Sequence, residues 1–452
     1  MSTPRITGPS RRATFYAAFA SVAGWAFDLF DLFILLFVAG TVGELLFPAS
    51  SPTLSLAAVY ASFAVSVLLR PAGAAIFGGI ADRHGRKKTM VIVLAGVGLC
   101  TAAMGAVPTY ATAGVWAPVV FLILRFLQGI FVGGVVAATH TLGTESVGPR
   151  WRGLMSGLIG GGGAGLGAAI ASGLFIVVSQ IFPGERFDVW GWRVMFFAGL
   201  AAAILSYFVL RGVEESPLWK AQQQAQKEGA PQPKPRMSDL VRDGRGGMFA
   251  LNILLVASAG SQYYLTSGYL PTLLDQITGV HKSSQGVILL VSSLGVVVAT
   301  IAAGELSERI GRRRSMLLMG GFNLVALPLL VWLMTSTDPA KTGLITVYAT
   351  ALAFFANAAY APVLVFLNER YPTALRSRGT AVCWNTGFMI GGLMPTFVNL
   401  ASPGLADVPG RLMVCLIAVV IAFLIANAIS PETRGAMERE QLPHPMTEPA
   451  KA

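Results

Sequence analysis

Apolar runs of about 18 residues or more, long enough to cross a bilayer as helices, recur along this chain with short polar breaks between them. Twelve can be marked, at 15–40, 54–80, 89–108, 115–141, 153–181, 192–211, 248–274, 284–304, 315–335, 343–367, 379–402 and 412–429. Hydrocarbon offers no hydrogen bonds, so runs of this kind read as helices. The one long polar stretch, 212–247, falls between the sixth and seventh runs. Its Pro, Gln and Lys content cannot build a core, so it reads as a linker with room for a surface helix. The pattern predicts an all-α membrane protein in four parts. A six-helix bundle occupies 1–211, the linker 212–247, a second six-helix bundle 248–430 and a polar tail 431–452.

Composition agrees with this and excludes the alternative. Only 12% of the 452 residues are charged and 54% are hydrophobic, against about 25% charged in soluble domains. The net charge of +11 is explained by where it falls. With the N-terminus inside, 26 of the 33 basic residues lie in cytoplasmic segments and five on the opposite side, and Arg70 and Arg125 remain within the membrane. Both termini are then cytoplasmic, and an inner (plasma) membrane location is expected. No basic, aromatic-interleaved soluble domain is present, so a nucleic-acid partner is not expected. The polar segment Met1–Arg12 leads straight into a long apolar run and reads as an uncleaved first helix. Cys100, Cys383 and Cys415 lie in apolar runs without ligand spacing, so neither a disulfide framework nor a metal site is expected. Gly160–Gly167 contains a formal G-x-G-x-x-G, but no strand precedes it, and small residues in an apolar run let helices approach closely. No nucleotide motif of the G-x-x-x-x-G-K-[ST] kind occurs. The chain is expected to be no enzyme and to use no cofactor.

Charge inside the apolar runs marks the chemistry. Asp28 and Asp31 stand three residues apart in the first run, on one side of a helix and about one turn from each other. Ionised groups at such depth are costly and are functional by default. A carboxylate deprived of water takes up a proton more readily and a nearby cation reverses this, which is what proton coupling requires. Arg125, in the fourth run, lies roughly 24 Å above its cytoplasmic end, near the depth of Asp31, and Arg70 lies roughly 16 Å above the end of the second. A guanidinium presents a planar fork suited to a carboxylate, so either arginine is a candidate for an anionic substrate. The apolar runs of the second bundle hold no Asp, Glu, Lys or Arg. The first bundle should therefore carry the proton and substrate charge, and the second should supply hydrogen bonds and aromatic walls. His140, near the cytoplasmic end of the fourth run, is a relay candidate or a packing residue.

The two halves repeat. Asp82-Arg83-His84-Gly85-Arg86-Lys87-Lys88 lies opposite Glu308-Arg309-Ile310-Gly311-Arg312-Arg313-Arg314, and Arg150-Trp151-Arg152-Gly153 opposite Arg376-Ser377-Arg378-Gly379, both at an offset of 226. Two motifs in one register argue for duplication, and parallel six-helix repeats with a site between them are a transporter architecture. The acid-Arg-x-Gly-Arg-basic-basic turns resemble the signature of the major facilitator superfamily. Leu69-Arg70-Pro71-Ala72-Gly73, Arg125-Phe126-Leu127-Gln128-Gly129, Gly191-Trp192-Arg193, Glu215-Ser216-Pro217 and Trp384-Asn385-Thr386-Gly387 are similar to its metabolite:proton symporter branch. Trp25–Asp31 is also similar to the lactate and sialate symporters. Where the metabolite branch commonly has an acid after the Gly-Gly pair of the fourth helix, this chain has Val135.

The resemblance implies the major facilitator fold, two pseudo-symmetric bundles, and proton-coupled symport of a small organic anion, a mono- or dicarboxylate, by a monomer in the bilayer. It implies that Asp31, with Asp28 and Arg125, handles the proton. It also implies that Arg70, Arg125, Tyr263, Tyr264 and Asn385 bind substrate, because Tyr263–Tyr269 resembles the seventh helix of the symporters. Asp82, Arg83, Gly85 and Arg86, with Glu308, Arg309, Gly311 and Arg312, would form conformational gates, with Arg378 or Arg152 as partners of Asp82. The competing cargoes are a sugar or a zwitterion such as betaine, and a reading from another class is a membrane sensor without transport.

Overall fold

The computed structural model describes residues 11–49, 52–228, 236–242, 245–280, 282–403 and 405–439. The first ten residues of the expected N-terminal arm, the linker centre at 229–235 and the tail from 440 lie outside the described residues. Each of the twelve apolar runs forms a helix long and apolar enough to cross a membrane. In the first half these are α1 (Arg12–Leu46), α2 (Ala64–His84), α3 (Arg86–Gly105), α4 (Trp116–Glu145), α5 (Pro149–Ile181) and α6 (Phe187–Val209). In the second they are α7 (Gly246–Thr272), α8 (Ser284–Ile310), α9 (Arg312–Thr335), α10 (Thr342–Arg370), α11 (Arg376–Asn399) and α12 (Val408–Ile429).

At the end of the molecule where the repeated basic turns gather, the helices outrun the apolar pattern. α2 continues through Asp82 to His84, α8 through Glu308 to Ile310, and α4 ends on Glu145. Extending a formed helix fixes one residue per new hydrogen bond, so charge at the end does not stop it; basic residues in a last turn, such as Arg83 and His84, also suit the helix dipole. Glycine stops it. Gly85 (φ 103°) and Gly311 (φ 97°) turn the chain from α2 into α3 and from α8 into α9 through a backbone region closed to most side chains.

The packing is two-fold. In the first bundle α1 lies on α5, α2 on α4 and α3 on α6; in the second α7 lies on α11, α8 on α10 and α9 on α12. The bundles meet through α2 against α11 and, symmetrically, α5 against α8. These contacts need small residues: a Cβ on Gly157 would collide with the Thr300 carbonyl, and one on Gly78 with the backbone of Arg378. The glycine run of α5 works on two sides, Gly161 and Gly165 against α8 and Gly163 and Gly167 against α1. Single turns of wider, π-helical register interrupt α4 at Val136–His140, α5 at Leu158–Gly162 and α7 at Tyr264–Gly268. Such turns concentrate at functional sites.

The linker carries a short helix, Pro217–Lys227, held to the basic end where Trp219 Nε1 donates to the Asp82 carbonyl (3.0 Å). Four arginines, Arg86, Arg125, Arg312 and Arg376, are among the largest fully buried side chains of the protein. A buried guanidinium demands partners. Following them leads to the two charged centres.

Candidate functional site

The first centre lies within the membrane-spanning part of the first bundle. Asp28 faces Arg70 Nη2 at 3.4 Å, and Asp31 faces Arg125 Nη1 at 3.5 Å. Both acids and Arg125 are buried. The three-residue spacing turns the two carboxylates to one side of α1, and α2 and α4, packed against each other, bring one arginine each.

The pairs are not alike. Asp31 Oδ1 accepts hydrogen bonds from Thr101 Oγ1 of α3 (2.8 Å) and Gln128 Nε2 of α4 (2.7 Å). Gln128 also accepts from Arg125 Nη1 through its Oε1 (2.7 Å), so one amide bridges the acid and the cation. Asp28 faces Arg70, and among the described residues its Oδ1 makes no hydrogen bond, nor do Arg70 Nε and Arg125 Nε and Nη2. Neither Gln128 nor Thr101 was among the expected site residues. The Arg-x-x-Gln spacing of Arg125 and Gln128, which sets both on one helix face, is the sequence feature that points to the glutamine.

Across the bundle interface stands an uncharged aromatic wall. Tyr263 packs edge-on against Tyr264 and Tyr360 (5.3 and 6.2 Å), Phe388 stacks on Trp384 (4.2 Å), and Trp384 meets Trp25 of α1 at 5.8 Å. Tyr263 and Tyr264 lie within electrostatic reach of both Asp28 and Arg70. Tyr263 is buried and Tyr264 half-buried at the start of the π-helical turn of α7. Asn385 has a different position. Its Nδ2 donates to the Gly133 carbonyl of α4 (3.2 Å) and to the Ala381 carbonyl (2.9 Å), so it ties the bundles together.

The second centre closes the basic end. Asp82 accepts the backbone N–H groups of Ser377 (3.2 Å) and Arg378 (3.1 Å) at the start of α11, in the opposite bundle. Glu308 accepts the N–H of Gly153 in the first turns of α5, again across the interface. A carboxylate on a helix N-terminus satisfies orphan donors and complements the helix dipole. Arg378, one of the two expected partners of Asp82, meets it through its main-chain N–H at the helix start, and its guanidinium packs over Gly79. Behind each acid lies a buried relay. Arg86 reaches Asp82 (3.5 Å) and Glu145 (3.3 Å), and Glu145 also holds Arg376 of α11 (2.8 Å). Arg312 reaches Glu308 (2.6 Å) and Glu369 (3.0 Å). Ser216 donates to Glu145 and Thr433 to Glu369, while Glu215 and Glu432 accept the first N–H groups of α3 and α9. Arg83 and Arg309 stand exposed outside the relay, Arg309 pairing with Glu305 (3.0 Å). Arg152 is buried at the start of α5.

Glu145, Glu369, Arg376, Glu215 and Glu432 were not expected from sequence. Two repeats carry the signal: Glu145 precedes Arg152 by seven positions as Glu369 precedes Arg376, and Glu215-Ser216 is matched by Glu432-Thr433. Among the described residues no group of three His, Cys, Asp or Glu side chains is arranged to hold a metal.

Comparison with known proteins places this geometry in context. The Major Facilitator Superfamily description matches residues 17–395 and 252–443. The chain is 30% identical over 384 residues to a proline/betaine transporter of Salmonella typhimurium, covering 83% of this chain and 75% of that protein. It is 25% identical over 439 residues to the alpha-ketoglutarate permease of Escherichia coli, covering 95% and 97%. Its fold matches that of the proton:xylose symporter XylE with a TM-score of 0.75 at 16% identity, covering 94% of this chain and 98% of that one.

Proposed function

Since the chain belongs to the Major Facilitator Superfamily, a family of transporters, we propose that it carries a small organic anion, a mono- or dicarboxylate, together with protons by alternating access. The observation that supports this most directly is the pair of buried Asp–Arg contacts facing a wall without charge, with nitrogens of Arg125 that make no hydrogen bond. Protonating Asp31 removes its hold on Arg125 and frees the guanidinium for a substrate carboxylate. Arg70 and the hydroxyls of Tyr263 and Tyr264 would take the rest of the ligand.

Charge balance explains why the two events are coupled. The empty site holds two acids and two arginines and is neutral. A proton with a monoanion leaves it neutral, whereas either alone leaves a net charge in a medium that penalises charge heavily. Empty and fully loaded carriers can therefore rearrange, and half-loaded ones are held back. The moving units are the expected bundles, 1–211 and 248–430, joined by 212–247. The basic end faces the cytoplasm under the positive-inside rule, in the inner (plasma) membrane of a bacterium, and the protein works as a monomer.

In liposomes, an imposed proton gradient is expected to drive carboxylate accumulation. Asp31→Asn should abolish accumulation while sparing substrate exchange. Accumulation at the unaltered level in that variant would reassign Asp31 to structure.

One observation favours a second reading. The aromatic wall of Tyr263, Tyr264, Tyr360, Trp384 and Phe388 suits a quaternary ammonium group, which binds to ring faces, and one relative is a proline/betaine transporter. The cargo would then be a zwitterion with its carboxylate on the same arginines.

A further inference from the structure

Between the aromatic wall and the gate at the basic end lies a buried polar cluster that neither centre uses. His140, in the π-helical turn of α4, sits with its Nε2 2.9 Å from Ser156 Oγ of α5. Its Nδ1 is 3.0 Å from Asn368 Nδ2 of α10, in the other bundle. Asn368 Nδ2 also donates to Thr144 Oγ1 of α4 (3.0 Å), and its Oδ1 accepts from Thr380 of α11 (2.7 Å). All five side chains are fully buried. Two helices of each bundle thus meet in one hydrogen-bonded knot. Trp25, one turn below Asp28 on α1, closes it from above with its ring 6.3 Å from that of His140. From below it adjoins the gate: Arg376, the partner of Glu145, also donates to the backbone carbonyl of Asn368 (3.0 Å).

The location constrains what the cluster can do. Asn368 and Thr144 each immediately precede the acid of their bundle's relay, Glu369 and Glu145, so they are pseudo-equivalent residues that touch across the symmetry axis. Opening the basic end separates α4 and α5 from α10 and α11 and must break both the His140–Asn368 and Thr144–Asn368 contacts. The π-helical turns of α4 and α5 lie against each other at this level, and a register irregularity in both moving helices makes this a natural place to bend. Buried polar groups left without partners are costly, so the knot favours the closed interface while it is intact and favours the open one little when it is broken.

We propose that His140 and Asn368 form a polar latch between the bundles, positioning residues that set how readily the basic end opens in the transport cycle. This rests on the alternating-access reading but not on the identity of the cargo or on the role of Asp31.

The test uses full-length protein in lipid nanodiscs, without substrate or proton gradient. Pulsed electron resonance would read distances between spin labels replacing the exposed Arg150 and Arg314, one at the basic end of each bundle. His140→Leu and Asn368→Leu should each raise the ratio of open to closed populations about tenfold, as expected for the loss of one or two ordinary buried hydrogen bonds. The double variant should shift it no further than the larger single one, since the two residues share one contact. His140→Gln, which retains a donor and an acceptor, should stay near the parent distribution. Unchanged populations in the leucine variants, additive effects in the double variant, or a glutamine variant as open as the leucine one would each overturn the latch. Should the leucine variants not fold, Thr380→Val loosens Asn368 from outside the pair; a shift in the same direction supports the proposal and an unshifted distribution overturns it. Loss of proton-driven flux is read separately in Asp31→Asn, so failure of the latch and failure of the coupling assignment are distinguishable.

Discussion

Gln128 stands where the groups of the first centre meet. Its amide donates to Asp31 and to Thr101 and accepts from Arg125, and no part of it reaches solvent. A buried ion pair is favourable only when its remaining polar valences are filled, and here one neutral side chain fills them for both partners. Gln128→Leu leaves the acid and the cation short of hydrogen bonds at about 1–3 kcal/mol each. It should lower the thermal unfolding temperature and reduce proton-driven uptake at least tenfold, both measurable on one purified preparation. Unaltered uptake with unaltered stability would show that Asp31 and Arg125 need no third party. The contrast with Asp28, which faces Arg70 and accepts no hydrogen bond at Oδ1, makes the two acids different chemical groups although the spacing presents them as a pair.

At the scale of the elements, the gate joins the bundles by placing a carboxylate from the end of one helix on the beginning of another. Asp82 at the end of α2 accepts N–H groups at the start of α11, and Glu308 at the end of α8 accepts one at the start of α5. Charge on a helix terminus contributes about 0.3–1 kcal/mol at an exposed site and up to about 2 when partly buried. Asp82→Asn should therefore tilt the equilibrium toward opening at the basic end by several-fold. A cysteine in place of Ala381, buried one turn into α11, would report it: alkylation by a water-soluble reagent should accelerate in the Asp82→Asn background. Equal rates would mean that the buried relays Arg86–Glu145–Arg376 and Arg312–Glu369 suffice by themselves. Those relays explain why arginines are among the largest buried side chains at the basic end: Arg86 and Arg312 each lie between two carboxylates, and Arg376 pairs with Glu145.

For the whole molecule, neutrality of the central site makes a prediction that separates the two cargoes. A monoanion carried with one proton moves no net charge, so uptake should respond to a pH difference and ignore membrane potential. A zwitterion carried with one proton moves one positive charge, and an inside-negative potential should then accelerate uptake. Measuring initial rates in liposomes with the potential clamped by potassium and valinomycin decides between them. Potential-driven uptake would remove the monoanion reading and leave the aromatic wall as the seat of recognition.

Much of this was legible in the order of residues. Twelve apolar runs became twelve helices, because a segment that must satisfy its backbone within hydrocarbon has few other choices. The repeated turns of Asp82–Lys88 and Glu308–Arg314 foretold the two-fold packing, since duplication leaves its register in the chain. Asp28, Asp31, Arg70 and Arg125 stood out because charge in an apolar run is expensive, and pairing is the remedy nearest to hand. Neutral and local-looking residues gave no such signal. Gln128, Thr101, Glu145 and Glu369 drew no site role from the sequence. Their roles depend on contacts between residues far apart in the chain: Thr101 with Asp31, Glu145 with Arg376, Asn385 with the Gly133 carbonyl, His140 with Asn368. Sequence alone fixed which segments enter the membrane and which charges they bring, because solvation energy is a local property. Which acid meets which arginine, and which bonds cross from one bundle to the other, was decided only when the helices packed, because partner choice is set by distance in space.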